Sequence, residues 1–257
     1  MSGEYKQRAL ITGATSGIGK ATALAFAKAG IDVALVSRST DKLMAVAETV
    51  KHTEVDAKVY TVDLSNIGQV EAQISSVAAD FGGIDILVNN AGIGYTGALC
   101  DTPLADWQQV IDLNLTSVFQ CIMGVLPGMR ERLSSRKARA TSLKQDYPTG
   151  GTIINIVSIA GKQAFANWGA YCVSKAGLIA LSQTLAQEER QHGIRVTAIC
   201  PGSVNTELWD TPTVKANFDR SHMLTPEIVA QSILYTALLP QQAVVDELTI
   251  MSSAGVL

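Results

Sequence analysis

The chain has 257 residues, 47% of them hydrophobic and 17% charged, enough apolar material for one large α/β core or two small ones. Its formal net charge of -3 gives no reason to expect nucleic acid or an anionic membrane as a partner, and no apolar run reaches the roughly 18 residues of a membrane span. Residues 1–8 hold no signal-peptide core, and neither Cys100, Cys121, Cys172 and Cys200 nor His52, His192 and His222 show metal-ligand spacing, so a cytoplasmic protein with free thiols and no metal is expected.

Residues 8–12 read as a short strand. It runs into Gly13-Ala14-Thr15-Ser16-Gly17-Ile18-Gly19 and then an alanine-rich helix to about residue 29, stopped by Gly30. Strand, glycine turn and helix are the context a dinucleotide fingerprint requires, although the spacing here is G-x-x-x-G-x-G. Gly13 suits the tight turn, Gly17 lets backbone approach a pyrophosphate, and Gly19 lets the helix pack on the strand. The helix N-terminus then offers free N–H groups to phosphate. Without a ligand the same stretch is only a glycine-rich turn. Residues 31–36 form a buried strand ending at Ser37-Arg38-Ser39. A free ribose 2′-hydroxyl usually meets an acid at that place. An arginine there suits a 2′-phosphate, or is an ordinary solvated side chain.

Helix, strand and helix follow at 41–53, 57–62 and 66–81, with Asp63 and Leu64 closing the strand. Residues 84–89 are a fourth strand, closed by Asn89-Asn90-Ala91-Gly92, whose small residues permit close approach to a flat ligand. Alternating strands and helices imply right-handed crossovers and a parallel sheet, with ligands at one edge. Residues 106–129 read as one long helix with Asn114, a poor helix-interior residue, in its middle. After a basic segment, 130–150, the strand 152–157 delivers Ser158 to the ligand edge. The helix 168–190 carries Tyr171 and Lys175, four residues apart and so on one face. A phenol loses its proton near pH ~10. An adjacent cation lowers that value, and a phenol tuned toward neutrality can exchange a proton with a carbonyl or alcohol oxygen. The plainer reading is a surface lysine beside a half-buried tyrosine. The strand 194–200 ends in Pro201-Gly202. A connection, 203–224, leads to a helix opened by Thr225-Pro226-Glu227 and a last strand at 246–251.

Thr12-Gly13-x3-Gly17-Ile18-Gly19, Asp63, Asn89-Asn90-Ala91-Gly92, Asn114, Ser158, Tyr171-x3-Lys175 and Pro201-Gly202 stand in an order and spacing that resembles the short-chain dehydrogenases/reductases over essentially the whole chain. The resemblance implies a single doubly wound, Rossmann-type α/β domain whose seven-stranded parallel sheet has the order 3-2-1-4-5-6-7. It implies an oxidoreductase that interconverts a ketone or aldehyde and an alcohol with NADPH/NADP+. Tyr171 would be the acid/base, and Lys175 would lower its pKa and hold the nicotinamide ribose. Ser158 would hold the substrate oxygen. Asn114 would fix a water in a proton relay, its backbone freed by a local helix irregularity. Cofactor contacts would come from Gly13, Thr15, Ser16, Gly17, Ile18, Gly19, Ser37, Arg38, Asp63, Leu64, Asn90, Ala91, Gly92, Tyr171, Lys175, Pro201, Gly202, Val204 and Thr206. Family members assemble as tetramers or dimers through the two long helices and the C-terminal strand region, so a homotetramer or homodimer is expected.

Substrate contacts are expected from Ser158, Tyr171, Tyr95, Gln163, Trp168 and Trp209, with Ile93, Gly94, Ile159 and Ala164 as further walls. The 203–224 connection carries Val204, Leu208, Phe218 and Met223 besides Trp209. A long stretch without regular structure at a ligand edge reads as a lid. Its apolar content points to an uncharged, partly hydrophobic substrate, unless these side chains pack beneath the lid. Two other functions stay open. A 3-oxoacyl-acyl-carrier-protein reductase would want basic residues outside the pocket, and Lys215 and Arg220 have Asp210 and Asp219 beside them. A dinucleotide-binding sensor would usually lack one of the four catalytic residues, all present here. The segment 130–150 is longer than the family pattern and carries Arg130, Arg132, Arg136, Lys137, Arg139 and Lys144 against Glu131 and Asp146. Topology puts it at the N-terminal ends of the strands, as a solvated extension or a contact to another subunit or an acidic partner.

Overall fold

Each short run rich in valine, isoleucine or threonine becomes a strand, and the alanine- and leucine-bearing runs between them become helices. The structure, a computed structural model, describes residues 6–139, 150–215 and 219–255, with the backbone alone for 133–139. In chain order the elements are β1 (Arg8–Thr12), α1 (Gly17–Lys28), β2 (Asp32–Ser37), α2 (Thr40–Val50), β3 (Ala57–Thr61), α3 (Val70–Asp80) and β4 (Ile86–Asn89). Then come α4 (Leu104–Ile111), α5 (Ser117–Arg139), β5 (Gly151–Ile156), α6 (Gly169–Glu189), β6 (Ile194–Pro201), α7 (Pro226–Ala237) and β7 (Glu247–Ile250). The strands pair in parallel in the order 3-2-1-4-5-6-7, the doubly wound single-domain fold that the resemblance implied.

The five inner strands are buried almost without interruption, as a parallel sheet covered on both faces requires, whereas the outer β3 and β7 hold no fully buried residue. Leu10, Leu87 and Ile153 enter one core with Val118, Ile122, Met129 and Leu178. Ile11, Val88 and Ile154 enter the other with Phe26, Leu35, Val229 and Ile233. Each such buried aliphatic side chain contributes about 1.5–3 kcal/mol. Parallel strands bring all their C-terminal ends to one edge, which is where the site lies.

Three elements differ from the sequence reading. The expected helix 106–129 is interrupted: α4 ends at Ile111, a π turn covers Asp112–Thr116, and α5 runs on to Arg139. In the π turn the Ser117 N–H reaches back to the Asp112 carbonyl. The helical stretch Leu104–Arg132 is long and apolar enough on average to cross a membrane by length and composition alone, although Asp106, Asp112 and Asn114 interrupt its apolar run. Its apolar side chains Val110, Val118, Ile122 and Met129 are nonetheless buried in this fold.

The basic segment begins inside α5. Arg130 forms an ion pair with the buried Glu189 at the end of α6, its Nε 2.9 Å from Oε2. Arg132 donates to the Ile84 carbonyl just ahead of β4. Both partners sit at the N-terminal edge of the sheet. The side chains of Arg136, Lys137, Arg139, Lys144 and Asp146 lie outside the described residues. The connection 203–224 holds two 3-10 turns, Glu207–Asp210 and Arg220–His222, where no regular structure was expected. Its base is tied by Asn205 N–H to Leu224 O and Leu224 N–H to Ser203 O, each 2.9 Å. Its middle is tied to the loop after β4 by Thr96 N–H to Thr213 O at 2.8 Å and Lys215 N–H to Thr96 Oγ1 at 2.7 Å. Phe218 lies outside the described residues.

Candidate active site

The turn after β1 is built for close approach. Gly13 has φ 65, a left-handed conformation that costs glycine nothing. Gly19 has no room for a side chain, since a Cβ there would lie 2.3 Å from the Gly13 carbonyl. Asn90 spends its amide on this turn, donating to Thr12 O at 3.0 Å and Gly13 O at 3.2 Å. Thr12 Oγ1 in turn accepts from the N–H groups of Asn90 (3.0 Å) and Ala91 (3.1 Å). The start of α1 carries no acidic residue and no side-chain cap, so its first-turn N–H groups stay available to an anion.

A cleft of about 440 Å³ runs along this edge. Ser37, Arg38, Asp63 and Leu64 line it at the β2–β3 side. Gly13, Thr15, Ser16, Gly17, Ile18, Asn90, Ala91 and Gly92 line its middle, and Ser158, Tyr171, Lys175, Pro201, Gly202, Val204 and Thr206 the side of β5 and β6. Of the residues expected to touch a cofactor, Gly19 alone stands behind the lining, packed on Gly13. Hydrogen bonds from the Ser65 hydroxyl and N–H hold the Asp63 carboxyl below the usual carboxylate range, with Arg38 adding a smaller pull against burial.

Tyr171 and Lys175 share one face of α6. Lys175 is almost wholly buried, and its Nζ donates to Ile156 O at 2.9 Å and lies 5.6 Å from the centre of the Tyr171 ring. Burial pushes the lysine down to about 8. Burial also pushes the Tyr171 phenol up to about 12, against the opposing effect of its hydrogen bond with Ser158. This corrects the expectation that Lys175 draws the phenol toward neutrality: desolvation by burial is the largest influence on it. The phenol therefore holds its proton at neutral pH. Ser158 follows β5, and its Oγ also accepts the Ala160 N–H at 3.1 Å.

Asn114, fully buried in the π turn, makes three hydrogen bonds to protein partners. Its Oδ1 accepts the Ile93 N–H at 2.9 Å, and its Nδ2 donates to Ile93 O at 2.9 Å and to Ser174 Oγ at 3.1 Å. A Cβ built on Gly92 would sit 3.1 Å from Asn114 Oδ1 and 3.7 Å from Lys175 Nζ, so the three positions converge on one point. The side chain is thus a clamp on the loop after β4.

At the substrate end, Ser158, Tyr171, Trp168 and Trp209 line the cleft, with Ile93, Ile159 and Leu208. Tyr95 and Gln163 do not. The Tyr95 hydroxyl is turned to a hydrogen bond with Asp106, and Gln163 is exposed beyond the short turn Ile159–Gly161. Gly94 is buried against Val214 and Trp168, Ala164 is exposed, and Met223 packs beneath the connection. The sequence reading missed Phe165, Glu207, Thr211 and Met251, which also line the cleft. Phe165 was findable, three residues before Trp168 on the same loop. Met251 reaches the site only because β7 pairs with β6, a contact with no local signal.

A doubly wound sheet with a glycine turn and a Ser–Tyr–Lys group along one cleft defines a dinucleotide-using class of enzyme. The family model described as short chain dehydrogenase matches residues 7–214. An uncharacterized oxidoreductase of Staphylococcus saprophyticus is 33% identical over 252 residues, 95% of each chain. The 3-oxoacyl-acyl-carrier-protein reductase FabG of Staphylococcus epidermidis is 36% identical over 201 residues, 78% of this chain and 76% of that one. Among solved structures, an alcohol dehydrogenase from the archaeon Thermococcus sibiricus, complexed with 5-hydroxy-NADP, superposes with a TM-score of 0.83 at 26% identity over 97% of both chains. The chain belongs to the short-chain dehydrogenase/reductase family and is an oxidoreductase.

Proposed function

We propose that the protein is an NADPH-dependent oxidoreductase that interconverts an uncharged ketone or aldehyde and its alcohol. The observation that carries this reading is the meeting of Ser158, Tyr171 and Lys175 in one cleft whose other end holds the glycine turn and Arg38. The residues fit a dinucleotide: Gly19 makes the turn tight, the α1 N-terminus is free for a pyrophosphate, and Arg38 with Ser37 suits a 2′-phosphate where an acid would oppose it. When bound, NADPH supplies the hydride. Tyr171 gives its proton to the carbonyl oxygen and recovers it in the reverse direction. Ser158, already bonded to Tyr171, holds that oxygen beside the phenol. Lys175 holds the nicotinamide ribose, and Asn114 keeps Ile93 and Gly92 in place beside it. The 203–224 connection closes over the substrate between its two tied points, excluding water.

The FabG relative favours a second reading, reduction of a 3-oxoacyl thioester on an acidic carrier. Against it, Arg220 on the connection is neutralised by a two-pronged pair with Asp210, at 2.6 and 3.2 Å. Four free cysteines, three of them buried, fit a reducing compartment such as the cytoplasm. Exposed Leu99, Leu104, Phe119 and Val173 around the α4–α6 face, and Tyr235, Leu238 and Val244 near α7 and β7, supply apolar faces for a dimer or tetramer.

The test is NADPH consumption with a panel of ketones and a 3-oxoacyl thioester, for wild type and Tyr171→Phe. The wild type reduces at least one ketone. The variant loses about 10²-fold or more in kcat while NADPH affinity stays within a few-fold, because only the transferred proton is gone. A Tyr171→Phe protein that keeps most of its activity sinks the mechanism, and no turnover with any substrate favours a dinucleotide sensor.

A further inference from the structure

The turn Ile159–Gly161, directly after Ser158, is held from two sides. Ser158 leaves β5 with extended backbone, and its Oγ accepts the Ala160 N–H at 3.1 Å, so the serine caps the turn that follows it. The Gly161 N–H returns to the Ser158 carbonyl at 3.0 Å, and the Lys162 N–H to Ile159 O at 2.9 Å. Serine and turn therefore move as one body. The Ser158 side chain is also hydrogen-bonded to Tyr171.

On one side Gly161 rests on α6. A Cβ built there would lie 2.8 Å from the Lys175 carbonyl oxygen, 2.9 Å from its carbonyl carbon and 3.0 Å from Ile179 Cδ1. Gly161 is not one of the left-handed glycines, so space and not conformation demands glycine here. The Lys175 atoms it meets belong to the backbone of a 21-residue helix and cannot swing aside. Carbon–carbon contact is comfortable from about 3.5 Å, so a methyl group at Gly161 drives the short turn back by roughly 0.6 Å. On the other side, Lys162 Nζ donates to Glu247 Oε1 at 2.6 Å and to Thr249 Oγ1 at 3.1 Å, both on the edge strand β7. Just past β7, Met251 lines the cleft, its Sδ 3.0 Å from where a Cβ on Gly202 would stand. Lys162 thus ties the serine turn to the strand that carries the opposite wall.

We infer that Gly161 and Lys162 are positioning residues, which brace the Ser158 turn against α6 and β7 and thereby fix the serine hydroxyl beside the Tyr171 phenol. The inference rests on the carbonyl-reductase reading and adds two residues to it. Reacting groups have to be held within about 0.5 Å of their productive places, and a shift of roughly 1 Å costs about 10²-fold in rate. The two braces differ in strength, one being a contact with helix backbone and the other a half-exposed ion pair.

The experiment places Gly161→Ala, Lys162→Met and Lys162→Arg in wild type and in Ser158→Ala, and measures kcat with the most reactive ketone of the panel. Gly161→Ala should lower kcat by about 10- to 100-fold and Lys162→Met by about 2- to 5-fold, while Lys162→Arg keeps most of the activity. NADPH affinity, read by calorimetry, should stay within about two-fold throughout, since the glycine turn is untouched. In Ser158→Ala both losses should shrink to near nothing, because the misplaced group is gone. Losses that persist in full in Ser158→Ala overturn the inference, and so does wild-type kcat in Gly161→Ala and Lys162→Met, or a Lys162→Arg as slow as Lys162→Met. The Lys162 variants change a half-exposed side chain and carry the test if Gly161→Ala does not fold. Crystal structures of wild type and Gly161→Ala read the placement without turnover. An unmoved Ser158 hydroxyl in Gly161→Ala overturns the brace and leaves the reductase reading intact if wild type is active. A displaced hydroxyl, in a protein whose wild type reduces no ketone, upholds the brace and defeats the reductase reading.

Discussion

Replacing Asn114 with alanine should damage stability and activity together, because one amide holds both. The side chain is fully buried and makes three hydrogen bonds, two to the Ile93 backbone and one to Ser174. A typical buried hydrogen bond contributes about 0.5–1.5 kcal/mol net, and an abandoned partner costs more. Ile93 is only half-buried, so water recovers part of the loss there. The balance is a loss of about 2–3 kcal/mol, or a Tm drop of roughly 5–10 °C for a domain of this size. Asn114→Leu has nearly the original volume and none of the bonds, so it should be about as unstable as Asn114→Ala. Urea and thermal unfolding of both variants read the stability, and kcat with the best ketone reads the site. An Asn114→Leu protein with wild-type Tm would show that volume, not hydrogen bonding, fills this position. Wild-type kcat in either variant would show that the Ile93 clamp does not serve the site.

Arg38→Ala should reduce the preference for NADPH over NADH by about 10- to 100-fold, the worth of a charge-assisted contact, and Ser37→Asp should push it toward NADH; a wild type with higher kcat/KM on NADH refutes the assignment. The Lys175 ammonium, lowered by burial from 10.5 to about 8, binds a proton less readily folded than unfolded, so wild-type stability should rise relative to Lys175→Met between about pH 8 and 10.5. Thermal melts of the two proteins at pH 7, 8.5 and 10 follow this difference, and a constant gap contradicts a buried, depressed lysine.

The strands and their order were legible because periodicity and glycine turns are local. The runs 8–12, 31–36, 84–89, 152–157 and 194–200 hold enough apolar residues for both faces of a parallel sheet, and the helices between them leave few topologies. The Tyr171–Lys175 pair was legible from helical spacing alone. Its electrostatics were not, since the up-shifted phenol results from desolvation by elements far apart in sequence. Asn114 signalled an irregularity, and a π turn stands there, but nothing local says that its amide would be spent on Ile93, 21 residues away. Arg195 gave no signal either. It lies buried in β6, donating to Thr152 Oγ1 and to the carbonyls of Ala237, Leu239, Pro240 and Ala243, where it ties the end of α7 to the sheet. An arginine in a strand reads as a solvated edge residue until the fold supplies five acceptors.

Three irregular stretches of backbone shape the cleft. Gly13 in the left-handed region, the π turn at Asp112–Thr116 and Asn167 at φ 65 all serve the C-terminal edge of the sheet. Each sets one component of the cleft: the phosphate turn, the clamp on Ile93 and Gly92, and the indole beside Tyr171. The opposite edge has left-handed glycines of its own, Gly30, Gly82, Gly83 and Gly193, just ahead of β2, β4 and β6, and is tied by Arg130 on Glu189 and Arg132 on the Ile84 carbonyl. Gly13, Asn114 and Asn167 are each pinned by hydrogen bonds from another part of the chain. These three departures therefore place residues of the cleft, and the π turn adds stability as well through the Asn114 hydrogen bonds. A substitution that closes the π turn would move Asn114 away from Ile93 and should therefore lower Tm and disturb the cleft together.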